Sequence, residues 1–347
     1  MCWQTEAESR IREILDCRDV CLTSNATTAL FALIKGDGIK RVILPVNICF
    51  SVPFAVRTGG AEVEFVDVNP ENGLMDVCHL QNTVIDAKTA LIVPHLYGKT
   101  ANTFEEIITW AEENNVMVVE DIAQCFGGHF RSEYLGSFGA FAIASFGKGK
   151  NIDFGFGGAL ISNRSSLGKI RAELQSLPRL SGNSLEEKER LERTYTRGHY
   201  HNQSLVWFQQ FYRRLQKTRT VFLNDISGFP LNGGVDFHGI EKRNSERHDL
   251  GAKIRGLLKQ RFENIYVEEA PDTGVWWRVR LVIPDLTRHD LVLSTLIQKG
   301  IKVSKLYGVV TRLFNGEEQY PGHEKFYRES LFVDIIEENL DRLVRWN

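Results

Sequence analysis

The sequence predicts an α/β fold: a mainly parallel sheet with helices on both faces, then a smaller C-terminal α+β domain. Three observations carry this expectation. Short apolar runs alternate with helical patterns through residues 22–163, as buried parallel strands joined by crossover helices do. The runs at Val116 and Ala140 end in polar side chains, Glu120-Asp121 and Ser145, where such sheets expose their carboxyl ends. Residues 240–299 then resume a helix–strand–helix pattern after a stretch of different character.

Each element follows from its residues. Residues 4–16 read as a helix of mixed charge. Leu22-Thr23-Ser24-Asn25 offers polar caps to the helix that continues through Thr27–Ile34. Arg41–Pro45 is a short buried strand, and Ala61–Val68 a second that alternates at first. Thr89–His95 is the third, Phe104–Asn114 is helical, and Val116–Glu120 is the fourth. Ala140–Ser145 and Gly158–Ser162 complete six. From Ser165 to about Gly239 charge and aromatics dominate, and residues 184–219 read as helices. Leu205, Phe208 and Tyr212 form an apolar stripe there, suited to packing or a subunit contact. Ile240–Phe262 is a long helix, Trp276–Ile283 alternates as a strand, and Arg288–Lys299 is helical. The expected division is a large domain over 1–239, with 165–239 a divergent helical segment, and a small domain over 240–347.

The chain has 347 residues, 43% of them hydrophobic, enough for a large core. A net charge of −2 and a pI of about 6.5 give no basic stripe for nucleic acid. No apolar run approaches the ~20 residues that span a bilayer. Met-Cys-Trp-Gln-Thr-Glu-Ala-Glu lacks the regions of a signal peptide. A cytoplasmic location is expected. Six scattered cysteines, Cys2, Cys17, Cys21, Cys49, Cys78 and Cys125, read as reduced thiols, and no paired ligand cluster suggests a metal.

The chemistry concentrates at strand ends. Asp121 follows one apolar run and Ser145 ends another. The helix beginning near Ala26 offers free N–H groups to an anion. Lys150 follows Ser145 by five residues, amid Gly147, Gly149, Gly155, Gly157 and Gly158. A carboxylate for a pyridine nitrogen, a hydroxyl for a phosphate and a lysine for a Schiff base are the groups that hold pyridoxal phosphate. Simpler roles exist for each: Asp121 as a turn cap, Thr27 as an ordinary helix residue, Gln124 in a turn, Lys148 or Lys150 as surface lysines, and His95 in the core. Cys125 has no identifiable histidine partner, Gly155-Phe156-Gly157-Gly158 is no dinucleotide fingerprint, and Gly147-Lys148-Gly149-Lys150 is no P-loop.

In order and spacing these motifs resemble the DegT/DnrJ/EryC1/StrS family of sugar aminotransferases, which share the aspartate aminotransferase fold. The matching string includes Ser24-Asn25-Ala26-Thr27-Thr28-Ala29-Leu30, Val66-Asp67-Val68 and His95-Leu96-Tyr97-Gly98. It continues through Glu120-Asp121-Ile122-Ala123-Gln124, Gly136-Ser137-Phe138-Gly139, Ser145-Phe146, Lys150-Asn151 and Gly157-Gly158. The resemblance implies that Lys150 is the Schiff-base lysine and Asp121 the partner of the pyridinium. It implies that Gln124 bonds the ring hydroxyl and that Ala26, Thr27 and Ser145 cradle the phosphate. Cys49 stands where an aromatic commonly stacks on the ring, so either Cys49 packs there or Phe50 takes its place. Lys305-Leu306-Tyr307-Gly308 echoes a substrate-side motif, pointing to Tyr307. The family's Asn-x-Arg segment, which reaches the neighbouring subunit, is not evident; Asn202 fits it poorly.

The activity so implied moves an amino group from an amino acid, glutamate being the expected donor, to a keto sugar, typically nucleotide-linked and deoxygenated. A homodimer with active sites at the subunit interface is expected. Sugar dehydration on the same cofactor would place a histidine at position 150. A binding or regulatory protein that keeps the fold without turnover is a further alternative. A nicotinamide oxidoreductase lacks its glycine fingerprint.

Overall fold

Segments rich in Val, Ile and Leu cannot stay at the surface, and here they line up in one sheet. The computed structural model describes residues 3–178, 239–308 and 319–346, together with 186, 190, 210, 237 and 310. Apart from 186, 190 and 210, the helices expected over 184–219 lie outside the described residues, as do the Leu205/Phe208/Tyr212 stripe and Asn202.

The first part of the chain supplies strands β1 (Asp19–Thr23), β2 (Arg41–Pro45), β3 (Glu62–Val66), β4 (Thr89–Pro94), β5 (Met117–Asp121), β6 (His129–Phe130), β7 (Glu133–Tyr134), β8 (Phe141–Ser145) and β9 (Gly158–Ser162). Helices α1 (Trp3–Leu15), α2 (Ala26–Asp37), α3 (Ser51–Gly59), α4 (Phe104–Glu113) and α5 (Gly168–Gln175) connect and cover them. β6 and β7 form a small hairpin; the rest make a seven-stranded sheet in the order β1-β9-β8-β5-β4-β2-β3. Pairing is parallel from β8 through β5, β4 and β2 to β3. β9 alone runs against its neighbours, pairing antiparallel with both β8 and β1. β4 is buried at all six positions, as a central strand covered on both faces must be.

The six expected strands are present within a residue or two at each end. The edge strand β1 is an addition. Its last two residues, Leu22 and Thr23, read in sequence as the lead-in to a helix cap. The cap itself forms as expected, with the Asn25 side-chain Oδ1 accepting from Thr28 N at 2.8 Å. A five-residue segment becomes a strand here because β9 offers it a full ladder, from Asp19 opposite Ser162 to Thr23 opposite Gly158.

The second part forms a four-stranded antiparallel sheet in the order β10 (Tyr266–Val267), β11 (Arg278–Val282), β13 (Ser330–Asp334), β12 (Val303–Ser304). Helices α6 (Ile240–Arg261), α7 (Leu286–Gln298), α8 (Pro321–Glu329) and α9 (Glu337–Val344) accompany it. Ile254, Leu258, Val279, Leu281, Leu296 and Leu331 anchor its own apolar core. Trp277, Tyr307, Phe326 and Phe332 instead join the core of the large sheet. Asp67 crosses between the two parts, its carboxylate accepting from the backbone N–H groups of Gly322 at 2.8 Å and His323 at 2.9 Å at the start of α8. Among the described residues no helix is long and apolar enough to cross a membrane.

Candidate active site

Successive residues of a strand face opposite sides of the sheet, so Glu120 and Asp121 at the end of β5 have different fates. Glu120 is fully buried. It accepts from the backbone N–H groups of Gly136, Phe138 and Gly139, all at 2.8 Å, and lies 3.0 Å from His95 Nε2. His95 Nδ1 meets Thr100 Oγ1 at 3.0 Å. The Gly136-Ser137-Phe138-Gly139 motif is thus a loop wrapped on one carboxylate, and His95 belongs to that core cluster. Asp121 is also buried; its Oδ1 accepts from Ala123 N at 3.0 Å, and no ion pair reaches it among the described residues. Burial pushes its carboxyl above the usual range, against the opposing pull of the Ala123 N–H, Lys150 and His95.

Lys150 lies on the loop after β8. Burial of its ammonium group pushes it below the ordinary lysine range, Cys49 and Asp121 pull it back up, and the Arg278 guanidinium adds to the downward push. Its Nζ is 5.9 Å from the centre of the Trp277 ring. Lys148, the rival lysine, is exposed. The loop is held by Trp277 Nε1 donating to the Gly149 carbonyl at 2.9 Å, and by the Asp153 carboxylate accepting from Gly149 N and Gly155 N, both at 2.7 Å. Arg278 stacks over the Trp277 ring at 4.1 Å and pairs with Asp334 at 2.8 Å. Cys49 is half-buried and within electrostatic reach of Lys150, whereas Phe50 turns into the core.

The third element is a helix N-terminus packed against a strand end. Gly158, opposite Ser145 in the β8–β9 ladder, lets the backbone of α2 approach closely: a Cβ there would stand 2.5 Å from Ala26 N and 2.8 Å from the Ala144 carbonyl. This brings the first turn of α2, with Ala26 and Thr27, against the end of β8. The Thr28 N–H is taken by the Asn25 cap, while helix geometry leaves those of Ala26 and Thr27 without an intrahelical acceptor.

Gln124 is buried. Its Oε1 accepts from Tyr97 N at 2.8 Å and its Nε2 donates to the Tyr307 hydroxyl at 2.5 Å. Tyr307, expected on the substrate side, touches the residue expected on the cofactor. Cys125, next in sequence, is fully buried and pushed up to about 12 by that burial, so its thiol stays protonated.

The state of Asp121 gives a direct expectation. The folded chain holds this proton more tightly than the unfolded chain, so stability is lost as pH rises through the ordinary carboxylate value toward the raised one. Asp121→Asn without ligand should therefore melt no lower than the parent at neutral pH and lack the parent's loss of stability as pH rises from the ordinary carboxylate value to neutrality. Thermal melts across that range test it; a clear drop in Tm for the variant at neutral pH would contradict it.

The profile of the DegT/DnrJ/EryC1/StrS aminotransferase family matches residues 4–220, more than half of the sequence. The chain belongs to the DegT/DnrJ/EryC1/StrS aminotransferase family. Among its relatives, GDP-perosamine synthase of Escherichia coli O157:H7 is 32% identical over 147 residues, covering 42% of this chain and 40% of that protein. The pleiotropic regulatory protein of Geobacillus stearothermophilus is 29% identical over 147 residues, 41% of this chain and 39% of that protein. The chain thus matches about two fifths of the length of these curated relatives. In fold it is similar to DesI, a structure determined in the presence of its TDP-sugar product, with a TM-score of 0.68 and 19% identity over 99% of this chain and 84% of that one.

Of the residues expected in the site, Ala26, Thr27, Cys49, Asp121, Gln124, Ser145 and Lys150 fall inside the family match, and Tyr307 falls outside it. Trp277 and Arg278 were not foreseen. They sit about 130 residues beyond Lys150 in an alternating strand whose only signal was a pair of tryptophans. Tyr97 lay within a recognised motif but carried no assigned contact; the glycine after it was the sole hint of unusual backbone.

Proposed function

We propose that this family member is a pyridoxal-phosphate-dependent aminotransferase that moves an amino group from an amino acid, glutamate by expectation, to a nucleotide-linked keto-deoxysugar. One observation carries the reading: a buried carboxylate with no ion-pair partner among the described residues faces a desolvated lysine beside an open helix N-terminus. These residues fit pyridoxal phosphate. A protonated pyridine nitrogen is the cation that Asp121 lacks, and a phosphate suits the N–H groups of Ala26 and Thr27 with the Ser145 hydroxyl. The Gln124 amide would reach the ring hydroxyl, Cys49 would lie against the ring, and Lys150 Nζ would hold the aldehyde carbon.

When bound, the cofactor supplies an electrophilic carbon for the amine and an electron-withdrawing ring. The chain's own residues do the rest. Asp121 would keep the ring nitrogen protonated. With its ammonium form disfavoured by the surroundings, Lys150 Nζ would serve as the base that takes a proton from the amine-bearing carbon and returns it. Trp277 and Asp153 hold the loop that carries this amine in place.

The names of relatives support a sugar acceptor, GDP-perosamine synthase and the TDP-sugar complex of DesI among them. The division at residues 239/240 belongs to this reading, supported by the two apolar cores, as does a homodimer with shared sites. An assay with pyridoxal phosphate, glutamate and a panel of keto-sugar nucleotides tests it. The expected result is 2-oxoglutarate with an aminated sugar from at least one acceptor. Cofactor uptake with no amino transfer from any donor would leave the inert binding protein as the better description.

A further inference from the structure

Gln124 stands between two tyrosines that both hold left-handed backbone, Tyr97 at φ +62° and Tyr307 at φ +64°. That conformation is unfavourable for a bulky side chain and persists only where the surroundings impose it. Here they do so from both sides. Tyr97 stacks on Phe332 with centroids 4.4 Å apart, and its hydroxyl accepts from Asn47 Nδ2 at 3.0 Å. The His323 imidazole hydrogen-bonds the Tyr307 backbone, and the Asp67 carboxylate holds His323 through its N–H.

The two tyrosines grip opposite ends of one amide. Only the carbonyl oxygen of Gln124 can accept the Tyr97 N–H, so the orientation of the amide is decided there. The –NH2 group has two protons. One goes to the Tyr307 hydroxyl, 183 residues away in sequence; the other remains for an acceptor in the site. We propose that Tyr307 is a positioning residue of the Lys150 site, its phenol oxygen accepting one Gln124 amide proton and so aiming the second at the ligand above Asp121. For the identity of that ligand this rests on the pyridoxal phosphate reading, in which the ring hydroxyl is the acceptor. Tyr307, shortly after β12, thereby holds the –NH2 end of an amide whose carbonyl end the Tyr97 N–H already fixes.

The test titrates pyridoxal phosphate into the parent, Tyr307→Phe, Gln124→Ala and the double variant, reading the dissociation constant and the visible circular dichroism of the bound chromophore. Tyr307→Phe removes only the hydroxyl. It is expected to weaken binding about 3- to 10-fold and to change the dichroic band, with Tm within about 2 °C of the parent. In the Gln124→Ala background the same change should have no further effect. Binding within about twofold of the parent with an unaltered band overturns the proposal, and so does an equal loss in both backgrounds. If the parent takes up no pyridoxal phosphate, the functional reading falls together with the proposal; if the parent binds normally and Tyr307→Phe matches it, only the proposal falls.

Discussion

Lys150→Ala is expected to lower amino transfer by at least about 10²–10⁴-fold, the range ascribed to a positioned acid–base group, with a larger loss if the same amine also anchors the cofactor. Lys148, two residues away, is exposed and is no replacement. The folded state should survive. Burial disfavours the Lys150 ammonium in the folded chain, so its removal takes away a cost that is present at neutral pH and fades only as pH rises toward the ordinary lysine value. The variant should melt at or above the parent temperature while turnover vanishes. Borohydride treatment of the loaded parent, followed by peptide mapping, should find the reduced cofactor on the peptide containing Lys150. Parent-like turnover by the variant, or a label on another lysine, would refute the assignment.

The largest expected loss of stability lies one residue before the proposed pyridine partner. Glu120→Ala strands three backbone N–H groups, those of Gly136, Phe138 and Gly139, and deprives His95 of its partner in a fully buried cluster. Removing one side of such a buried arrangement costs about 3–5 kcal/mol, a large share of the stability of an ordinary domain. Urea unfolding should show a lower midpoint with little change in slope. Glu120→Gln, which keeps the shape and one acceptor oxygen, should lose less. A destabilisation below about 1 kcal/mol for the alanine variant would mean that the loop does not depend on this carboxylate.

The contrast between Glu120 and Asp121 shows how far local sequence reaches. An apolar run followed by two carboxylates announces a strand end, and strand alternation says that the two must face opposite sides. Which one faces the ligand came from resemblance to other proteins rather than from the residues themselves. His95 shows the same limit. Its place at the end of β4 was legible, but its partner, Glu120, lies on the neighbouring strand, and strand order cannot be read from a local pattern.

What the sequence determined by itself is what depends on near neighbours: six strands of the large sheet, a polar cap before the helix at Ala26, the change of character from Ser165, and the grouping of Asp121, Ser145 and Lys150 near strand ends. Periodicity, capping and glycine spacing act over a few residues and are written there in full. Only the tertiary structure decided that β1 is a strand and that β9 runs against its neighbours. It alone brought Trp277, just before β11, and Tyr307, shortly after β12, onto the Gly149 carbonyl and the Gln124 amide. Those contacts join residues more than a hundred positions apart, held by burial and hydrogen bonds whose second partner no local window contains.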